Sequence, residues 1–552
     1  MPVNMRKLSF LLAIIIIVAS CGKNNEPVVP DVTSLSVVSV QINGSSLTNN
    51  GNFHGVAGGV QVAKIVFNNT VDPSSIVTSG LSFGGTIGSN YKATQGDNKQ
   101  TIVLTSTASV APLTSFTFSI NTGVNLGGKI VTGFSSQYMT AIDSTAKFPT
   151  LSDNDLLTLI QQKTLSYFTD YAHPVSGMAR ERLGSGETVT TGGSGFGLMA
   201  MLVGIERGFL TRSDGFSRIN KVVNFLNTQA DKFHGAFPHW MNGTTGKVIP
   251  FSTKDDGGDL VETAFMMQGL LSVREYFKNG NSSEQAMCDT IQKLWQNVEW
   301  DWYRQNGQNV LYWHWSPDYG WAMNMPIAGY NEALIVYILA AASPTHSIPK
   351  EVYTNGWAKN GGITNGKTFE GTILPLGSDY GGPLFFTHYS FLGLDPRNLR
   401  DQYASYWQQN TAHAKINNMY CIRNPGGYYG YSADSWGLTA SDIPNGYSAS
   451  SPINDLGVIA PTAALSSMPY TPNESLRAAR FFYYMLGDKL WSNYGFYDAF
   501  SLNTPWFSNS YLAIDEGPIV VMIENYRTQL LWHLFMQNSD IQQGLTKLGF
   551  TY

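Results

Sequence analysis

The sequence predicts an all-α (α/α)6 toroid over residues 150–552, preceded by a small all-β sandwich of immunoglobulin type over residues 31–145. Three observations predict it. After Lys147-Phe148-Pro149 the pattern changes from short alternating runs rich in Val, Ser, Thr and Gly to long helical segments. The links between those segments alternate between short and long. The helices entered from long links are apolar nearly all round, whereas those entered from short links are amphipathic. A helix apolar on every face is enclosed by protein, and one with a wet face lies outside it. An inner ring and an outer ring, with the long loops on one rim, satisfy all three.

Taken in order, the chain starts with an address. Arg6 and Lys7 precede an apolar run from Leu8 to Val18, followed by Ala19-Ser20-Cys21. The run is too short to span a bilayer comfortably and has the layout of a signal peptide. Small residues ending in Cys read as a bacterial lipobox. Residues 1–20 are therefore expected to be removed, Cys21 to carry lipid, and 21–30 to form a tether, giving a cell-envelope protein held to a membrane by its anchor. The other cysteines, Cys288 and Cys421, have no metal-ligand spacing.

Between 31 and 145 the runs 36–42, 61–67, 101–105 and 116–120 alternate as half-buried strands do, separated by Asn49-Asn50-Gly51 and Gly96-Asp97-Asn98. Short, evenly spaced strands in this length suggest the immunoglobulin sandwich. The stretch Phe67-Asn68-Asn69-Thr70-Val71-Asp72-Pro73 resembles the strand-end motif of bacterial Ig-like modules. No catalytic cluster falls here, and a spacer role is expected.

Helices are predicted over 152–171, 194–207, 213–230, 258–278, 283–303, 330–343, 349–358, 382–393, 399–417, 455–468, 472–487 and 515–536. The all-round apolar stretches are 196–203, 260–271, 333–342, 384–394, 456–465 and 519–523, which should form the inner ring. Segments such as 218–230, 285–300 and 399–414 keep a polar face and should lie outside.

The inner-helix entrances carry the chemistry. Asp255-Asp256-Gly257-Gly258-Asp259 leads into an apolar helix in which Glu262 sits within the first turns. Asp259 suits an N-cap, with Glu262 three residues on. The other entrances hold Glu187, Glu332, Asp379 with His388 one turn further in, Asp455, and the pair Asp515 and Glu516. Capping accounts for most of these acids; the glycine beside nearly every one suits close approach of a ligand or tight helix packing. The long loops add Trp240, Trp313, Trp321, Tyr428 and Trp436, and Arg180 stands in Arg180-Glu181-Arg182. Aromatic rings around an acidic pit suit a sugar polymer, since rings stack on pyranose faces while carboxylates serve the glycosidic oxygen and a water.

Other chemistries fit less well. A net charge of −5 with 13% charged residues offers no basic face for nucleic acid. There is no HExxH, no GxSxG elbow, and no GxGxxG following a strand, so neither metal nor nucleotide cofactor is expected. A lyase on the same toroid needs a Tyr or His base with an Arg or metal to neutralise a uronate, and this rim is acidic. A non-catalytic glycan-binding lipoprotein would need the aromatics without the carboxylates.

The blocks at 190–212, 257–271, 329–346, 380–397 and 511–527 resemble the glycoamylase-like domain of bacterial glycoside hydrolases, in particular glycoside hydrolase family 144 of the endo-β-1,2-glucanase type. That resemblance implies hydrolysis with inversion on β-1,2-glucan or its oligosaccharides. It also implies Glu262 as general acid and Asp455 on the base side, while Glu187 stands where family members often carry Asp. Inversion needs one protonated and one ionised carboxyl group. Burial in an apolar helix favours the neutral form of Glu262, and the helix N-terminus opposes it.

Overall fold

The computed structural model describes residues 33–76 and 80–552. The expected signal peptide, the lipidation site at Cys21 and the tether lie outside the described residues. The chain divides into two compact units, one ending at Thr140 and the other running from Ala141 to Tyr552.

The first unit is a β structure of two main sheets and one two-stranded pair. One sheet has the order β3 (Ser45–Leu47), β2 (Val37–Ile42), β5 (Gly59–Phe67), β8 (Thr101–Val110) and β7 (Tyr91–Gln95). The other runs β4 (Asn52–Val56), β11 (Phe134–Thr140), β9 (Ser115–Ile120), β6 (Leu81–Ser82), and β1 (Ser34–Leu35) pairs with β10 (Lys129–Ile130). Alternation explains the inner faces. On β5 the residues Gln61, Ala63, Ile65 and Phe67 are buried, and on β9 Phe116, Phe118 and Ile120 are. The four predicted strands form, with the third extended to Val110. β4 and β11 escaped prediction because their polar residues interrupt the apolar alternation.

The second unit is mostly helical. Its main helices are α1 (Asp153–Thr169), α2 (Thr191–Glu206), α3 (Arg212–Thr228), α4 (Leu260–Phe277), α5 (Ser282–Gln296), α6 (Leu334–Ala342), α7 (Tyr406–Arg423), α8 (Pro461–Leu465), α9 (Pro472–Arg480), α10 (Ala513–Arg527), α11 (Leu530–Met536) and α12 (Ser539–Leu548). α2 touches α4 and α10, α4 touches α6, and α6 touches the 3-10 turn Tyr389–Phe391. His388, just before that turn, bonds Ser467 just past α8, and α8 returns to α10. The apolar segments thus contact one another in a closed cycle, with α1, α3, α5, α11 and α12 packed against its members. Among the described residues no helix is long and apolar enough to cross a membrane.

Glycine sets the closest of these contacts. A Cβ on Gly195 of α2 would lie 2.4 Å from the Phe265 carbonyl oxygen, and one on Gly269 of α4 2.2 Å from that of Gly195. Side chains there would force the two helices apart, so this pair of glycines fixes where α4, and with it Glu262, stands against α2.

Several predicted helices change: 283–303 stops at Gln296, and 349–358 and 472–487 pass into π-helical turns at Tyr353 and Phe481. Four others change further. The 382–393 segment is broken into the 3-10 turns Leu384–Thr387 and Tyr389–Phe391, because Gly381 and Gly382 take φ of +94° and +84° and Pro383 follows. The 455–468 segment is helical only from Pro461, after Gly457 at φ +70°. α7 starts at Tyr406, later than predicted, and runs on to Arg423, where Asn424 turns left-handed. The last predicted helix splits at Gln529, which is also left-handed, and α12 beyond it was not anticipated.

Candidate active site

Two small sheets bring the site together. β12 (Thr188–Thr190) pairs with β13 (Trp240–Asn242), setting Thr190 opposite Trp240, and then runs directly into α2. β14 (Gly258–Asp259) pairs with β15 (His314–Trp315), setting Asp259 opposite His314, and then runs directly into α4. Side chains at two adjacent helix entrances are thereby fixed by strand register.

Asp259 caps α4. Its Oδ1 accepts the N–H groups of Val261 at 3.0 Å and Glu262 at 2.9 Å, leaving Oδ2 3.0 Å from His239 Nδ1. Glu262 turns back across the helix pair. Its Oε2 accepts the Gly192 N–H at 2.6 Å and lies 3.5 Å from the Thr190 hydroxyl, while Oε1 is 4.0 Å from His239 Nε2. Burial holds the Glu262 carboxyl above its ordinary value; the His239 cation and the Gly192 N–H oppose that, and the Asp259 charge adds to it. Burial disfavours a charged His239, but the charges of Glu262 and Asp259 prevail and raise it to about 9. Burial lifts Asp255 and Glu332 to about 7, each helped by the charge of Asp259.

Glu262 opens into a cavity of about 350 Å³. Trp240, Phe251, Phe385, Tyr389 and Tyr447 supply aromatic walls, and Glu181 and Arg182 supply charge. The Arg182 Nε donates to both Glu181 oxygens at 3.1 and 3.0 Å, and its Nη1 to Asp442 Oδ1 at 2.9 Å. The Asp442 N–H donates to Asp498 Oδ2 at 2.6 Å. Behind this wall lies a buried acid group: burial lifts Asp498 to about 7, and burial with the Asp498 charge holds Asp515 and Glu516 well above the usual carboxylate range.

The sequence-predicted residues divide. Glu262 and Trp240 line the cavity, and Asp259 and Glu332 interact electrostatically with Glu262 from beside it. Asp515 and Glu516 are buried. Asp455 does not line the cavity: its Oδ1 is tied to the Tyr431 hydroxyl at 2.6 Å and the Gly457 N–H at 3.0 Å, and Tyr428 bonds its carbonyl. His388 is buried against Ser467, and Trp436 is fully buried with its indole N–H on the Glu474 carbonyl. Asp379 is exposed and paired with Lys367. Glu187 is exposed, bonded by Thr244 and near His173. Arg180 bonds the carbonyls of Tyr171 and Gly186 and lies over the Tyr171 ring. Trp313 lies parallel to the His314 ring, and Trp321 joins a cluster with Trp302, Tyr303 and Tyr312. Glu181, Arg182 and Asp442 went unpredicted; the one signal was the charge triplet at 180–182, from which Arg180 alone was chosen.

A family profile named Glycoamylase, described as "Putative glucoamylase", matches residues 324–539. An endo-β-1,2-glucanase from Chitinophaga pinensis, solved with sophorotriose and glucose, is 56% identical, with a TM-score of 0.72 over 73% of this chain and 99% of that one. A β-1,2-glucanase structure from Parabacteroides distasonis is 38% identical, with a TM-score of 0.71 over 93% of this chain and 74% of that one. A curated exo-β-1,2-glucooligosaccharide sophorohydrolase (non-reducing end) of the same organism is 47% identical over 420 residues, 72% of this chain. The chain spans 58% of that relative's own length.

Proposed function

The chain belongs to the glycoamylase-type family that includes the endo-β-1,2-glucanase of Chitinophaga pinensis, and from that premise we propose that it hydrolyses β-1,2-glucan or its oligosaccharides by an inverting acid/base mechanism. One observation carries the reading: a buried carboxyl, Glu262, opens into an aromatic-walled cavity that also holds an Arg-paired carboxylate, Glu181. Glu262 is assigned as general acid. Its burial suits a proton kept for the glycosidic oxygen, and the Gly192 N–H fixes the oxygen Oε2. Glu181, held by the Arg182 guanidinium, is assigned as the base-side partner for the nucleophilic water. Trp240, Phe251 and Tyr389 supply faces for pyranose rings.

The same reading takes the helical unit as an (α/α)6 toroid, supported by the closed cycle of apolar segments. It takes the β unit as an Ig-like spacer and Cys21 as the lipid-bearing residue of an envelope lipoprotein. Labelled fatty acid incorporated by the wild type and lost in Cys21→Ala tests the anchor; equal labelling in both excludes it.

The activity is tested by incubating the full chain with linear β-1,2-glucan beside β-1,3-, β-1,4- and α-linked glucans. Products are separated by chromatography and the first anomer is read by NMR. Sophorooligosaccharides appearing first as the α-anomer are expected; release from α-glucans alone overturns the substrate, and a β-anomer overturns inversion. Glu181→Gln should lose turnover and regain it with azide, which replaces the base-activated water. Rescue of Asp455→Asn or Asp442→Asn instead moves the base to that residue.

A further inference from the structure

We propose that His239, Asp255 and Asp259 form a site for one divalent transition-metal ion of the Zn²⁺ or Mn²⁺ class, set behind the cavity wall. One ligand atom from each of the three lies within 4.8 Å of the others. Ions of this class hold N and O ligands at about 2.0–2.2 Å, so ligand atoms around one ion stand roughly 3–4.4 Å apart. Tetrahedral ligation puts them at about 3.3–3.6 Å, so the widest pair, at up to 4.8 Å, closes by on the order of 1 Å when the ion enters. Within the cluster His239 Nδ1 is already 3.0 Å from Asp259 Oδ2. His314 Nε2 stands 3.3 Å from Asp255 Oδ2 and 3.7 Å from Asp259 Oδ2, next to both carboxylates.

A second, independent observation points to a cation. Asp255 is 4% exposed, and its Oδ1 has no hydrogen-bond partner. Asp256 Oδ1 and His314 Nδ1 are likewise buried without a partner. Three buried acids, Asp255, Asp259 and Glu262, lie against His239 and His314. Carboxylates taken out of water need partners, and a cation at Asp255 supplies one. Mixed imidazole and carboxylate donors suit transition ions, whereas Ca²⁺ and Mg²⁺ prefer oxygen alone. The metal would replace the proton between His239 Nδ1 and Asp259 Oδ2. His239 Nε2 stays directed at Glu262 Oε1, 4.0 Å away. The ion would thus lock the Asp259 cap, the loop at Asp255 and the His239 ring into one unit without entering the cavity.

The test reads metal, not hydrolysis, so its outcome is separate from that of the proposed activity. The full chain, made without a polyhistidine tag, is assayed for metal by mass spectrometry. It is then stripped with EDTA and titrated calorimetrically with ZnCl2, MnCl2 and CaCl2. One equivalent of Zn²⁺ or Mn²⁺ is expected, with Asp255→Asn and His239→Gln each weakening it roughly 10²-fold. Circular dichroism checks both folds, and the near-isosteric Asp255→Asn carries the test if His239→Gln unfolds. Absence of binding at millimolar Zn²⁺ and Mn²⁺ overturns the site, leaving protons as what the cluster holds. So does unchanged affinity in Asp255→Asn, which would put the ion elsewhere, and so does Ca²⁺ binding as tightly as Zn²⁺.

Discussion

Gly192→Ala isolates the contact that positions the assigned acid. Gly192 is the second residue of α2, and its N–H donates to Glu262 Oε2 at 2.6 Å. A Cβ at this position would lie 2.7 Å from Oε2, 3.1 Å from Glu262 Cδ and 3.0 Å from Phe265 Cδ2. These are roughly half an ångström short of ordinary contact, and the carboxylate is the end that can move. Glu262 must retreat and lengthen its bond to the Gly192 N–H. A misplacement of about 1 Å near the chemistry costs on the order of 10²-fold, so a retreat of about half that should lower kcat roughly 10- to 100-fold. KM should move little, because the aromatic walls are untouched. Stability separates this from general damage: alanine favours a helix over glycine by up to about 1 kcal/mol, against about 1–3 kcal/mol for overpacking, so Tm should shift by only a few degrees. The assay is reducing-sugar release from linear β-1,2-glucan, with thermal melts on the same preparations. A folded variant with kcat within about twofold of wild type would refute the reasoning, since Glu262 would then act without the position this contact gives it.

Three further outcomes are expected. Glu262→Gln keeps the shape and removes the proton donor, so turnover should fall roughly 10²–10⁴-fold with the fold intact; near wild-type cleavage would strip Glu262 of its role. Arg207 holds Glu524, 1% exposed, through Nε at 2.7 Å and Nη2 at 2.9 Å, so Arg207→Met takes the bonded cation from a buried carboxylate that keeps only Gln161 and Thr528, and should cost about 3 kcal/mol in denaturant unfolding; a loss below about 1 kcal/mol would contradict this. Asp498 is raised by burial to about 7 in the folded protein against an unfolded value near 4. The folded state therefore holds the extra proton between those values, and stability falls as pH rises through that window, by up to about 1.4 kcal/mol per pH unit. Asp498→Asn should flatten the dependence of Tm on pH between about 4 and 7; an unchanged slope would show that other groups set it.

Much of the helical unit was legible because burial writes itself into composition. The segments around 196–203, 260–271 and 333–342 have no polar face to offer water, and α2, α4 and α6 are buried along almost their whole length. Glu262 was legible for the same reason, as a carboxylate inside such a helix, and Asp259 because capping follows a local rule. The other wall was not. Glu181, Arg182 and Asp442 meet through an ion pair 260 residues apart in sequence, between loops with no period to read. Their only trace was the triplet at 180–182, and in it the choice fell on Arg180, which instead binds carbonyls of its own loop.

At Asp455, three inner-helix entrances further along the chain, the reading that sets Glu262 inside a helix does not carry over. An acid at the mouth of an apolar helix is informative only if the helix starts there. The apolar pattern of 456–465 is genuine, but Gly457 at φ +70° cannot begin a helix, and Pro461, which lacks an N–H, is suited to the first helical position. The helix therefore opens six residues past Asp455, whose Oδ1 is spent on the Gly457 N–H and the Tyr431 hydroxyl in the loop. At α4 the reverse holds: Gly257 and Gly258 precede the cap and Leu260 starts the helix at once, so Glu262 falls inside the first turn and is carried into the cavity wall. Glycine before the cap places the acid and glycine after it displaces the helix, a distinction in residue order that a sequence reader can apply.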